Sequence, residues 1–178
     1  HVGLRRGTSA PGVRRPDRRP ATRRLLVSDL YDAAAVADFE QHIDRWLAAF
    51  AAENPVIETI DRGEDDTPRW YVRMRGDEKE HITVWLTLGQ RTLRYEVYVM
   101  PAPLENIAAV YEMVLRHNER LVGVHFAIGI EDALFLRGEL PLTALDADEL
   151  DRVIGTMYAT VERTFPALIR LGYASKFA

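Results

Sequence analysis

Between residues 69 and 100 three segments alternate apolar and polar side chains, and this run constrains the fold more than any other feature. RWYVRMR places Trp70, Val72 and Met74 on one face. HITVWLTLG does the same with Ile82, Val84, Leu86 and Leu88, and TLRYEVYVM with Leu93, Tyr95, Val97 and Val99. Strict alternation over this length belongs to half-buried antiparallel strands, because successive side chains of a strand point to opposite faces. Gly76-Asp77 and Gly89-Gln90 supply the turn chemistry between the segments. A three-stranded meander with one apolar face must bury that face against something else.

The flanking sequence provides the cover. Val36, Phe39, Ile43, Trp46, Leu47 and Phe50 recur at spacings of three and four, predicting an amphipathic helix over AAAVADFEQHIDRWLAAFAAEN that Asn54-Pro55 ends. VIETI (56–60) reads as a short additional strand, followed by the acidic loop DRGEDD. A second helix is expected to begin within PAPLENIAAVYEMVLRHNERL, with Pro103 in its first turn and a stripe of Leu104, Ile107, Ala108, Tyr111, Val114 and Leu115. His117 and Asn118 close it. GVHFAIGIEDALFLRGEL then reads as two strands turning at Glu131-Asp132. Asp146, with Glu149 three residues on, opens a long helix carrying Leu150, Val153, Ile154, Met157, Val161, Phe165, Leu168 and Ile169. Pro166 should kink or interrupt that helix. The expected class is α+β, an antiparallel sheet with helices on one face in the order α-β-β-β-(β)-α-β-β-α.

The second phase of the strands is the unusual one. One phase must be core, yet the other still carries Tyr71, Trp85 and Tyr98, flanked by Arg73, Thr83, Thr87 and Arg94. Aromatics among threonines and arginines on an uncommitted sheet face are what a protein interface tends to offer. His125 alternates with Val124 and Phe126, so it shares that face, with small Gly123 and Ala127 on either side. Small neighbours let another backbone approach, so His125 joins Trp85, Tyr98 and Tyr71 as a candidate partner-binding residue. A second reading assembles a small-ligand or catalytic pocket from His81, Glu96, His125 and Arg137.

Chemistry at recognisable spacing is missing. The three serines (Ser9, Ser28 and Ser175) occupy no strand-to-helix elbow, and neither a phosphate-cradling glycine loop nor a paired-histidine metal motif occurs. Cysteine is absent, which removes disulfide scaffolds, thiolate metal sites and cysteine nucleophiles together. EDD at 64–66 lacks the glycine and spacing of a calcium loop. No catalytic residue, cofactor or metal is therefore assigned.

The chain of 178 residues suits one domain. Its net charge of −4 conceals two regions of opposite sign. Residues 1–24 hold eight arginines and one aspartate, whereas the remaining 154 hold 15 basic and 26 acidic side chains. With Pro11, Pro16 and Pro20 and no apolar periodicity, the N-terminal segment cannot offset its ordering entropy. Residues 1–28 are expected to form a disordered basic arm and 29–178 a single α+β domain. The chain opens on His1, which favours an upstream extension; docking on the acidic domain and contact with nucleic acid are the other readings. No aromatic interleaves these arginines, which weighs against base stacking. No apolar run is long enough to span a bilayer and no secretory signal is seen, so a soluble cytoplasmic protein is expected. Arginine outnumbers lysine 21 to 2, a bias typical of a bacterium with a GC-rich genome.

Asn118 before the paired strands, Glu139-Leu140-Pro141 after them and LDADEL at the last helix together resemble the YbjN-type family of bacterial sensory-transduction regulators, which is similar in fold to the type III secretion chaperones. The resemblance covers roughly residues 33 to 175. It implies a compact domain that pairs into a homodimer and binds an unidentified protein or peptide client. It carries over no catalytic residues and does not account for the arginine-rich arm.

Overall fold

The computed structural model describes residues 31–178. The basic arm assigned to residues 1–28 and the domain boundary at residue 29 lie outside the described residues.

Three helices and six strands alternate as expected: α1 (Ala33–Glu53), β1 (Ile57–Arg62), β2 (Arg69–Arg75), β3 (His81–Leu88), β4 (Thr92–Met100), α2 (Ile107–Asn118), β5 (His125–Ile128), β6 (Leu134–Pro141) and α3 (Ala147–Gly172). The strands form one antiparallel sheet in the order β1-β2-β3-β4-β6-β5. The first four are a meander. The chain then leaves through α2 and returns so that β6 pairs with β4, which puts β5 on the outer edge.

Three α-helical ends show their cause in side-chain hydrogen bonds. Asp32 caps α1, accepting from Ala35 N–H at 2.8 Å. At the other end the side-chain amide of Asn54 donates to the Phe50 carbonyl at 3.0 Å, ahead of Pro55. Asp146 caps α3 by accepting from Glu149 N–H at 2.8 Å, while the Glu149 carboxylate turns forward to Arg152 instead of back to the cap. The helix runs on for six residues beyond Pro166. Proline removes one hydrogen-bond donor from the turn, but Leu168 and Gly172 beyond it are buried, so packing holds the last turns in place.

The three helices cover one face of the sheet. Trp70, Val72, Ile82, Val84, Leu86, Leu93, Val97 and Leu136 are buried there against Ile43 and Leu47 of α1, Val110 and Val114 of α2, and Leu150, Met157, Val161 and Leu168 of α3. The burial alternates strictly along β3, where each core side chain is followed by a half-buried one.

The second helix departs from expectation in start and orientation. Residues 101–106 are not helical: Leu104 and Glu105 donate their N–H groups to the Gly172 carbonyl at 3.0 Å, and the Asn106 side chain donates to Leu171 O. The end of α3 thus captures this segment, and α2 begins only after Asn106 turns through a left-handed conformation (φ 48°). Of the expected stripe only Val114 is fully buried and Tyr111 partly so. Leu104, Ile107 and Leu115 are 69%, 47% and 67% exposed, and Val110 supplies the remaining inward contact.

Asn118 has a structural task that its position at a helix end disguises. Its side chain accepts from Phe126 N–H at 2.7 Å and donates to Phe126 C=O at 3.2 Å. A strand partner would make the same two bonds, so the amide closes the outer edge of β5 at its centre.

A candidate protein-binding face

The face opposite the helices is organised in cross-strand rows. In one of them Asp61, Tyr71, Trp85, Glu96, Arg137 and His125 stand opposite one another in turn across all six strands. The next row toward the sheet end contains Arg69, Thr87, Arg94 and Glu139, and the row on the other side contains Arg73, Thr83 and the opposed pair Tyr98 and Phe135. Tyr71, Trp85 and His125 of the expected site therefore share a single row, and Tyr98 lies one row away.

Two aromatic pairs stand on this face. Tyr71 and Trp85 meet edge to face with ring centroids 5.9 Å apart, and Tyr98 and Phe135 do so at 5.6 Å. Trp85 and Tyr71 are half-buried, while Tyr98 and His125 are exposed. Phe135 went unassigned from sequence, although its position between Leu134 and Leu136 places it here. It is nevertheless buried: Tyr98 lies on one side, Gly129 packs close, and the guanidinium of Arg137 stacks 4.6 Å from its ring centroid. A Cβ at Gly129 would fall 2.4 Å from the Phe135 ring, so this position admits only glycine without rearrangement.

Beside Tyr98 the amine of Lys79 lies 5.8 Å from that ring and 5.5 Å from the ring of Phe165. Burial holds its pKa below the ordinary lysine value. The Tyr98 phenol is pushed up, chiefly by burial. Lys79 is placed by α3: the Glu162 carboxylate accepts from the N–H groups of Asp77, Glu78 and Lys79 at 2.7, 3.1 and 3.0 Å. A Cβ on Gly76 would sit 2.4 Å from that carboxylate, which is why this turn begins with glycine.

A concavity of about 830 Å³ opens between Arg69 at one end and Gly123 and His125 at the other, with Trp85 and Arg94 in its wall. Glu96 and Arg137 join across it, the Arg137 Nε–H donating to Glu96 Oε2 at 2.7 Å. Three residues of the alternative composite pocket, Glu96, His125 and Arg137, therefore line one depression. His81 does not. It lies with Arg73 and Arg75 around Glu58, its Nδ1 3.3 Å from Glu58 Oε2 but without a hydrogen-bonded partner. Among the described residues no hydrogen bond joins His125 to a carboxylate or hydroxyl, so nothing orients it as a base toward a nucleophile. No group of three His, Asp or Glu side chains among them could hold a metal ion.

A separate apolar surface lies on α2. Ile107 and Leu115, with Leu104 just ahead of the helix, are left uncovered by the domain, and Ile128 at the end of β5, the strand that α2 packs on, and Ile130 just past it are 50% and 74% exposed. Among the described residues no helix is long and apolar enough to cross a membrane.

The sequence pattern of the YbjN family, described as "putative bacterial sensory transduction regulator", matches residues 40–170. An uncharacterized protein of Mycobacterium tuberculosis is 38% identical over 108 residues, covering 61% of this chain and 59% of its own length. One of Mycobacterium leprae is 32% identical over 111 residues, covering 62% and 60%. The matched region thus spans about three-fifths of these relatives. Among solved structures the fold is similar to a chain of the ExsC–ExsE complex, with a TM-score of 0.54 and 17% identity over 72% of this chain and 95% of that one. A chain of the ExoU–SpcU complex from the type III secretion system of Pseudomonas aeruginosa gives a TM-score of 0.48 and 19% identity over 70% and 95%.

Proposed function

The chain belongs to the YbjN family, and from that premise we propose that it is a non-enzymatic, homodimeric adaptor of the bacterial cytoplasm that holds a protein or peptide partner in the manner of a chaperone. One observation carries the reading. The sheet face its own helices leave uncovered presents the edge-to-face pair Tyr71–Trp85 and the exposed Tyr98, seated edge to face on buried Phe135, set among arginines and threonines. Large aromatics and arginine dominate the energetics of protein interfaces, and a monomer has no use for them on a bare sheet. Trp85, Tyr98, Tyr71 and His125 contact the partner. That a chain of like fold occurs in a complex with a second protein supports partner binding as the fold's employment.

The second copy takes a different surface. Ile107 and Leu115 on α2, with Leu104 just ahead of it, form an apolar surface that, repeated by a two-fold axis, would be self-complementary. Separating the surfaces keeps the sheet face free in the dimer.

The test uses Trp85→Ala combined with Tyr98→Ala, and independently Leu115→Asp. The aromatic double variant should remain a dimer by sedimentation equilibrium yet lose the partner that native wild-type complexes retain. Leu115→Asp should sediment as a folded monomer. Retention of every partner by the double variant would remove the sheet face from the interface.

A small-ligand site is the second reading, favoured by the convergence of Glu96, Arg137 and His125 on one concavity. A ligand held there would contact Trp85 as well, so the two readings separate by what displaces what: a small molecule that occupies the site without any polypeptide partner favours the second.

A further inference from the structure

Arg137 spends one nitrogen on a carboxylate and keeps the rest. Its Nε–H goes to Glu96, its guanidinium carbon lies 4.6 Å over the Phe135 ring with one terminal nitrogen beside Gly129, and among the described residues its terminal nitrogens have no hydrogen-bond partner. A guanidinium fixed by stacking is already oriented, so little rotamer freedom is lost when its free edge meets a carboxylate in a two-bond fork. Arg94 is held loosely, its nearest carboxylate (Glu139) being 3.7 Å away, and both side chains are mostly exposed. With Arg69, which is itself bonded to the Asp65 carboxylate at 3.0 Å, the concavity carries three guanidiniums, and the carboxylates in its lining are Glu96 and Glu139. This local excess of cations occurs in a domain whose residues from 25 onward hold 26 acidic and 15 basic side chains.

The backbone beside the concavity is also incomplete. β4 pairs with β6 from Leu134 to Pro141, whereas β5 pairs only from Leu134 to Arg137. Phe126 directs its N–H and C=O outward to Asn118, so His125 and Ala127 are the residues that bond to β6. By the same alternation Glu139 directs its main-chain groups to the β5 side, one residue past Gly138, against which the Gly123 carbonyl packs, and it has no backbone partner there among the described residues. One unfilled strand position therefore borders the depression.

We propose that this concavity receives an extended, acidic peptide segment, its backbone against Glu139 and a carboxylate on the free nitrogens of Arg137. The proposal rests on the protein-binding reading of this face and names the chemistry of the partner. Charge complementarity selects the segment and the open strand position sets its conformation. Single-stranded nucleic acid, which also pairs arginine with aromatic rings, carries a charge on every residue and is repelled by the acidic surroundings more strongly than a peptide charged at every second one.

The experiment measures fluorescence anisotropy of three labelled strand-length peptides with the full chain: alternating glutamate and leucine, the same with glutamine, and the same with lysine. A labelled oligothymidylate is the fourth probe. The glutamate peptide should bind about tenfold more tightly than the glutamine peptide, with the preference shrinking as salt rises. Arg137→Gln should erase the preference while leaving glutamine-peptide binding intact. Arg137→Lys, which keeps the charge without the fork, should lose most of it, and Glu139→Gln should strengthen binding of the glutamate peptide. Equal binding of the glutamate and glutamine peptides, both abolished by Trp85→Ala with Tyr98→Ala, would overturn the acidic preference and leave the protein-binding face standing. Tightest binding to the lysine peptide or the oligonucleotide would also overturn the proposal. No binding of any peptide would sink both readings.

Discussion

Replacing Asn118 with alanine should open the outer edge of β5, and the geometry gives the magnitude. Two hydrogen bonds disappear, one of 2.7 Å from Phe126 N–H and one of 3.2 Å to Phe126 C=O, both partly buried. A net hydrogen bond contributes about 1 kcal/mol, and a main-chain group left without a partner in a partly dry site adds a further penalty of about 1 kcal/mol or more. The Phe126 side chain packs against the core on the other side, so the strand cannot swing out to hydrate these groups freely. The expected loss is about 2–3 kcal/mol. At roughly 2–4 °C per kcal/mol for a chain of this size, the melting midpoint should fall by roughly 4–12 °C. Amide hydrogen exchange locates the effect: Phe126 N–H should lose protection by more than its neighbours, since only it donates to Asn118. An exposed edge also invites pairing with another chain, so the variant should aggregate faster near its midpoint. An unchanged midpoint with Phe126 still protected would refute this assignment of the edge.

Two further outcomes follow from the contacts described. Glu162→Ala removes the acceptor of three N–H groups at the β2–β3 turn and should cost about 1–3 kcal/mol in urea denaturation, with Glu162→Gln recovering part of it; an unperturbed midpoint would mean that water replaces the carboxylate without loss. The Glu58 carboxyl is held below its ordinary value of 4.5, first by its hydrogen bond from Arg75 and then by the charges of Arg75, His81 and Arg73. A depressed carboxyl stabilises the fold above its unfolded pKa, and that contribution fades as pH falls through the folded value. Stability should therefore decline more steeply with acidification in the wild type than in Glu58→Gln, and parallel urea midpoints from neutral pH to about pH 3 would contradict this.

What the sequence discloses divides along the range of the forces involved. Alternation is a local property, and Trp70, Val84, Leu86 and Val97 appear in it and in the core alike. Caps are local too, and Asp146 is legible from its position ahead of Glu149. The start of α2 was not legible, because residues 104–106 are bound by carbonyls of Leu171 and Gly172 from the far end of the chain. The stripe on α2 shows a deeper ambiguity. Apolar periodicity marks a face that avoids water, but not whether the cover comes from the same chain. Leu104, Ile107 and Leu115 satisfy the pattern of a core helix while Val110 and Val114 occupy the core. In the candidate site, Tyr71, Trp85, Tyr98 and His125 were recognisable from phase alone. Their arrangement was not, since Glu96 meets Arg137 only because β6 inserts between β4 and β5.

That insertion ties architecture to the proposed activity. A simple meander continued by a hairpin would have put β5 beside β4 and left Phe135 and Arg137 on an outer strand. With β6 inside, its second-face side chains are flanked on both sides, which is how Phe135 comes to be buried and how Arg137 comes to be stacked upon it. β5 is shorter than β6, so the interior strand retains one stretch of exposed edge next to the rigid guanidinium. Asn118 meanwhile closes the edge of β5 itself at Phe126. Between them these features restrict where an extended polypeptide could add to this side of the sheet. The opening that remains adjoins Arg137, a side chain type enriched among the residues that carry most binding energy at protein interfaces.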